Sequence, residues 1–92
     1  MKVKVAFFAP FRELFGTDES EIELNGTSSV HELLNILCDS DERREKIFEQ
    51  SGELNSYVTI LKNGRSIKSL KGVQTELEEG DEIAIFPPVT GG

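Results

Sequence analysis

The alternating stretch Glu82-Ile83-Ala84-Ile85-Phe86 runs straight into Pro87-Pro88, and that junction limits what the chain can become. Polar and apolar residues alternate around β-branched Ile83 and Ile85, the pattern of a strand with one buried face. Neither proline has an N–H to give a sheet ladder and both fix φ, so the strand must stop there. Two successive prolines favour an extended, solvated polyproline II segment. Residues 87–92, Pro87-Pro88-Val89-Thr90-Gly91-Gly92, are therefore expected to leave the domain as a flexible tail, about 20 Å long when extended. Gly91 and Gly92 add no side-chain bulk, so a bare backbone can thread a narrow channel and accept the φ/ψ values an enzyme imposes. The Gly92 α-carboxylate is ionised at neutral pH. It is a competent nucleophile toward the α-phosphate of ATP, and the resulting acyl adenylate is open to attack by sulfur or amine.

The chain before the tail, residues 1–86, has the length of one domain and no room for a second core. Lys2 to Phe8 alternates, with Val3, Val5 and Phe7 on one side and Lys2, Lys4 and Ala6 on the other, an opening strand with a buried face. Pro10, then Phe11, Leu14 and Phe15 at helical spacing, and Gly16 as a stop, predict a short helical turn. Glu21 to Leu24 reads as a second strand with Ile22 and Leu24 facing in, closed by the Asn25-Gly26 turn.

Ser29 and Glu32 form a capping box at the start of the clearest helix. Val30, Leu33, Leu34 and Leu37 follow at i, i+3, i+4, i+7, one apolar stripe to lay on a sheet. Asp39 to Asp41 interrupts the pattern. Glu42 to Gln50 reads as a second helical stretch with Ile47 as its main buried contact, and Ser51 to Ser56 as a polar loop. Tyr57 to Lys62 is a strand; Asn63-Gly64 is a strong two-residue hairpin signal, returning into a short strand from Arg65 to Lys68. Lys71 to Leu77 is irregular or a single 3₁₀ turn, and Glu79-Gly80-Asp81 turns the chain into its last strand. An opening hairpin, a crossing helix and a last strand returning parallel to the first make an α+β roll. The expected architecture is a ubiquitin-like β-grasp: a mixed sheet with one main helix packed on one face.

Composition removes several classes of function. A net charge of −7 and a pI near 4.6 argue against nucleic acid and anionic membrane partners, which call for basic patches. No run of 18 apolar residues is present to span a membrane, and a strand beginning at Lys2 leaves no space for a signal peptide. The single cysteine suits a reducing compartment, and a cytoplasmic location is expected. Cys38 beside the apolar stripe reads as a structural thiol and His31 as a solvated helix residue; no metal site is expected. The acidic residues Glu76, Glu78, Glu79, Asp81 and Glu82 read as solvated surface, or as a surface that docks on a basic partner. Neither a serine–histidine–aspartate set nor a phosphate-cradling glycine loop is visible, so no independent catalysis is expected.

The segment from Phe86 to Gly92 resembles the tail of the ubiquitin-like sulfur-carrier family, which includes the small subunit of molybdopterin synthase and the small archaeal modifier proteins. Val5-Ala6-Phe7-Phe8-Ala9 followed by Phe11-Arg12-Glu13-Leu14 and Gly16 resembles that family's first strand and short helix. Asn63-Gly64, Leu77 and the stretch from Gly80 to Phe86 resemble its hairpin and last strand. The segment from Asp39 to Asn55 looks longer than in compact bacterial members, and Thr90 stands where alanine is common.

The resemblance implies a carrier that is not itself an enzyme and binds no cofactor. An adenylating enzyme related to the ubiquitin activators would grip the Phe86 surface and the tail, use ATP to adenylate Gly92, and pass it on to become a thiocarboxylate. The tail would then enter the large subunit of molybdopterin synthase and sulfurate cyclic pyranopterin monophosphate, a step of molybdenum cofactor biosynthesis. Gly91 and Gly92 would supply passage and the reactive carbon, and Pro87, Pro88, Val89 and Thr90 the reach. The same tail would suit a protein modifier joined through Gly92 to target lysines, alone or as a second role. A third reading is an interaction domain whose tail is incidental. Phe8, Phe11, Leu61 and Phe86 are expected to include the docking face, because an apolar face left uncovered by helix needs a partner.

Overall fold

The computed structural model describes residues 1–87. Strand β1 (Lys2–Phe7) is an interior strand of a mixed sheet. It pairs antiparallel with β2 (Glu19–Glu23), matching Val3 to Ile22, and parallel with the last strand, which brings Val5 beside Ile83 and Phe7 beside Ile85. A two-residue pairing from Ser28–Ser29 (β3) to Glu76–Leu77 stands apart as its own small sheet. Strand β4 (Thr59–Lys62) runs antiparallel to the last strand, with Ile60 opposite Ile85, and carries β5 (Arg65–Ser66) on its outer edge. With β6 assigned to Glu76–Leu77 and β7 to Glu82–Phe86, the main sheet reads β2-β1-β7-β4-β5.

Strand periodicity sends Val3, Val5, Phe7, Ile60, Ile83 and Ile85 to one face, where all are buried. The stripe Val30, Leu33, Leu34 and Leu37 of helix α2 (Val30–Leu37) belongs to the same core. Each such side chain contributes roughly 1.5–3 kcal/mol on burial. The arrangement is the expected β-grasp. Ser29 accepts the Glu32 N–H at 3.4 Å, so the Ser29 side of the capping box forms. Asn63 and Gly64 take φ values of 50° and 84°, the two positive values a type I′ hairpin turn needs.

Several element boundaries differ from the sequence reading. Strand β2 begins at Glu19, two residues early, while Leu24 is buried just beyond its end. Helix α1 (Pro10–Phe15) forms as expected behind Pro10 and stops at Gly16, whose φ is 77°. Helix α3 (Asp41–Ile47) is capped by Ser40, whose hydroxyl accepts the Arg43 N–H at 3.2 Å, and it ends three residues sooner than expected. There Phe48 turns extended, is buried, and pairs with Leu54. The strand expected from Tyr57 starts at Thr59; the return strand stops at Ser66, and a 3₁₀ turn takes over from Ile67 to Ser69.

Candidate functional site

The sheet face opposite α2 holds Phe8, Leu61 and Phe86 of the expected docking face. β1 sends Lys2, Lys4 and Ala6 there, with Phe8 just beyond its end; β7 sends Glu82, Ala84 and Phe86; β4 adds Thr59 and Leu61. The alignment places Ala6, Ala84 and Leu61 in one row across three strands, and Phe86 beside Thr59 in the next. Small Ala6 and Ala84 leave a shallow depression of about 260 Å³ beside Phe8 and Leu61.

At its upper end the rings of Phe8 and Phe86 stack, with centroids 4.3 Å apart and planes 11° apart. Phe8 is 38% exposed, while Leu61 and Phe86 are half-buried. The edge strand β2 supplies an acidic border, since Glu19 and Glu21 lie opposite Ala6 and Lys4 on this face. The Lys4–Glu19 pair at 3.8 Å is solvated and adds little to stability.

Phe11 does not belong to this face. It is 4% exposed and sits in the core, edge-on to Phe15 at 6.3 Å, while Phe15 stacks on Phe7 at 4.4 Å. The reason is local. Ala9 takes φ 51° and ψ −131°, which turns the chain sharply after Phe8 and starts α1 with Phe11 and Phe15 on its inner side. Phe8 is thus left outside and Phe11 carried within.

The other end of the face is held by a polar cluster that sequence reading treated as solvated surface. Asp81 is 6% exposed; it accepts the Asn63 side-chain N–H at 2.9 Å and the Glu78 backbone N–H at 2.7 Å, with Lys62 Nζ at 3.5 Å. Asn63 in turn accepts the Glu82 N–H at 2.9 Å, so the hairpin turn is tied to the start of β7. Burial pushes the Asp81 carboxyl up, but the hydrogen bonds from Asn63 and Glu78 and the Lys62 ammonium outweigh it, leaving the carboxyl below its ordinary range. Asn63-Gly64 followed by Asp81 was the only signal available for it: an Asn before Gly is read as a turn residue, and nothing in the sequence says its amide has a carboxylate partner.

Pro87, the root of the expected tail, is half-buried and lines a trough between α1 and α3. Pro88, Val89, Thr90, Gly91 and Gly92 lie outside the described residues. Among the described residues no cluster of three or more His, Cys, Asp or Glu could hold a metal ion, and no helix is long and apolar enough to cross a membrane.

The model of the ThiS family matches residues 5–92, nearly the whole chain. The chain belongs to the ThiS family. Small archaeal modifier protein 3 of Haloferax volcanii is 36% identical over 93 residues, covering all of both chains. The molybdopterin synthase sulfur carrier subunit of Escherichia coli is 34% identical, over 98% of this chain and 99% of that one. The crystal structure of SAMP1 from Haloferax volcanii superposes with a TM-score of 0.85 at 28% identity, covering the full length of both. This member of the ThiS family is thus a small ubiquitin-like protein of the sulfur-carrier and protein-modifier kind, and its β-grasp fold is the one its relatives share.

Proposed function

We propose that the chain is the sulfur-carrier subunit of a molybdopterin synthase, working through the carboxyl group of Gly92 and not through a catalytic centre of its own. The observation that carries this reading is the stacked pair Phe8–Phe86 on the open sheet face, one residue before Pro87. An enzyme seated on that pair stands beside Pro87, the residue from which the tail continues in sequence. A Gly92 carboxylate oxygen attacks the α-phosphorus of ATP and pyrophosphate leaves. Sulfide, or its equivalent on a donor protein, then attacks the acyl carbon, AMP leaves, and a thiocarboxylate remains. In the synthase large subunit this sulfur passes to cyclic pyranopterin monophosphate, and water restores the carboxylate.

Incubating the full chain with a ubiquitin-activator-like adenylating enzyme, ATP and a sulfide donor tests the reading. The expected product is a species heavier by the replacement of one oxygen with sulfur on intact-mass analysis, absent when Gly91 and Gly92 are deleted. A chain that stays unmodified under these conditions overturns it.

A second reading has its own support in the 36% identity to small archaeal modifier protein 3. In that role the activated Gly92 is attacked by a lysine amine of a target protein, forming an isopeptide bond with loss of the activating group. Cellular lysines carrying an isopeptide-linked remnant that ends in Gly91-Gly92, and that depend on this gene product, are the expected signature. Both roles share the activation step, so the sulfur-transfer assay and the remnant search separate them.

A further inference from the structure

The trough beside Pro87 has a volume of about 620 Å³, and its makeup is unlike that of the open sheet face. Phe11, Leu14 and Pro87 form an apolar floor. Glu13 of α1 stands on one rim, and Glu42 and Glu45 of α3 on the other, with Lys46 as the one base among the described residues lining it. Its shape is set by Arg43. The guanidinium donates from Nε to the Leu14 carbonyl at 3.2 Å, stacks over the Phe15 ring at 5.1 Å, and pairs with Asp39 at 2.8 Å, fastening α3 to the end of α1.

Charge decides among the occupants. The anionic end of the chain's own tail is repelled by three glutamates facing one lysine. A second copy, with a net charge of −7, is disfavoured for the same reason. A trough open along its length does not enclose a small molecule as a ligand cavity does. What suits it is a peptide segment with an apolar side chain for the floor and cationic side chains for the rims. The geometry points to a second docking element: this trough receives a basic, partly apolar segment of the enzyme that activates the tail. The inference rests on the proposed activation of Gly92 and extends it. Because Pro87 belongs to the trough, an enzyme that grips the chain at the root of the tail is brought beside these rims, and α3 selects which enzyme fits.

The test is pyrophosphate exchange into ATP by a ubiquitin-activator-like adenylating enzyme from the same cells, driven by the full chain. The double variant Glu13→Lys/Glu45→Lys is expected to raise the KM for the chain about fivefold with little change in kcat, and to blunt the dependence of KM on salt. Lys46→Glu, which makes the trough wholly acidic, is expected to move KM the other way. Thermal melts show whether each variant is folded; if the double variant is not, Lys46→Glu alone decides. KM values within about twofold of the parent chain for the folded variants overturn the trough as a docking element while leaving Gly92 activation intact. No exchange with the parent chain overturns both.

Discussion

Phe8 and Phe86 stack across the seam between β1 and β7, 4.3 Å centroid to centroid, although neither is deeply buried. Phe11, three residues along, is in the core. The three phenylalanines therefore separate a docking role from a folding role. Phe11→Ala is expected to cost roughly 3–5 kcal/mol, the usual penalty for emptying a core aromatic site. Phe8→Ala is expected to cost about 1 kcal/mol, since it loses one aromatic pair and little burial. In exchange assays Phe8→Ala raises the KM for the chain about tenfold, within the range for an interface aromatic. Urea melts beside those assays check the contrast; equal stability losses for the two variants would contradict the burial difference.

Asp81 gives acid sensitivity a definite sign. Its folded carboxyl lies below the ordinary value of 3.8, so folding favours the ionised form. The stabilisation is complete above that ordinary value and is lost as pH falls through the depressed folded value. Asp81→Asn is expected to lower stability at neutral pH by about 1.5–3 kcal/mol, the scale of hydrogen bonds to a buried charge. The difference from the parent chain shrinks as acid is added. Denaturant melts at a series of pH values measure it.

Ala9 stores backbone strain. A non-glycine residue at φ 51° and ψ −131° lies outside the ordinary regions, and such positions cost of the order of 1–3 kcal/mol. Ala9→Gly relieves most of that cost and loses a little to the greater freedom of the unfolded chain. A net gain of about 1 kcal/mol in urea melts is expected, with the Phe8–Phe86 face unchanged in NMR shifts.

Burial pushes the Cys38 thiol up to about 11, against the weaker pull of Arg44 and Arg43. Little thiolate exists near neutral pH, and the sulfur is enclosed at the end of α2. The folded chain is expected to resist iodoacetamide under conditions that fully label the urea-unfolded chain. Intact-mass analysis of both reads the outcome.

Most of the fold could be inferred before any coordinates because local patterns and global closure agree. The Val30–Leu37 stripe, the alternating Lys2–Phe7 and Glu82–Phe86 stretches and the Asn63-Gly64 turn each carry a period or a φ requirement visible in the sequence. Strands β3 and β6 escaped notice because two residues are too few to show a period, and their pairing joins segments nearly fifty positions apart. Phe11 was misplaced because helical spacing marks an apolar face without saying which side of the sheet it meets; that depended on the turn at Ala9. The buried Asp81 looked like one more acid in a charged run, since its partners Asn63 and Lys62 come from a different strand pair. Of the candidate site, the aromatic pair was legible from strand alternation, whereas the trough depended on Arg43 joining two helices and left no periodic trace.

The strand that leads to Pro87 is bonded along both sides, parallel to β1 and antiparallel to β4. Traction on the carboxyl end cannot peel β7 away as it would an edge strand, because both ladders must shear together. The domain is thus built as a mechanical anchor: a pull on Pro87 is shared by two ladders at once, so the body that holds it does not unravel strand by strand.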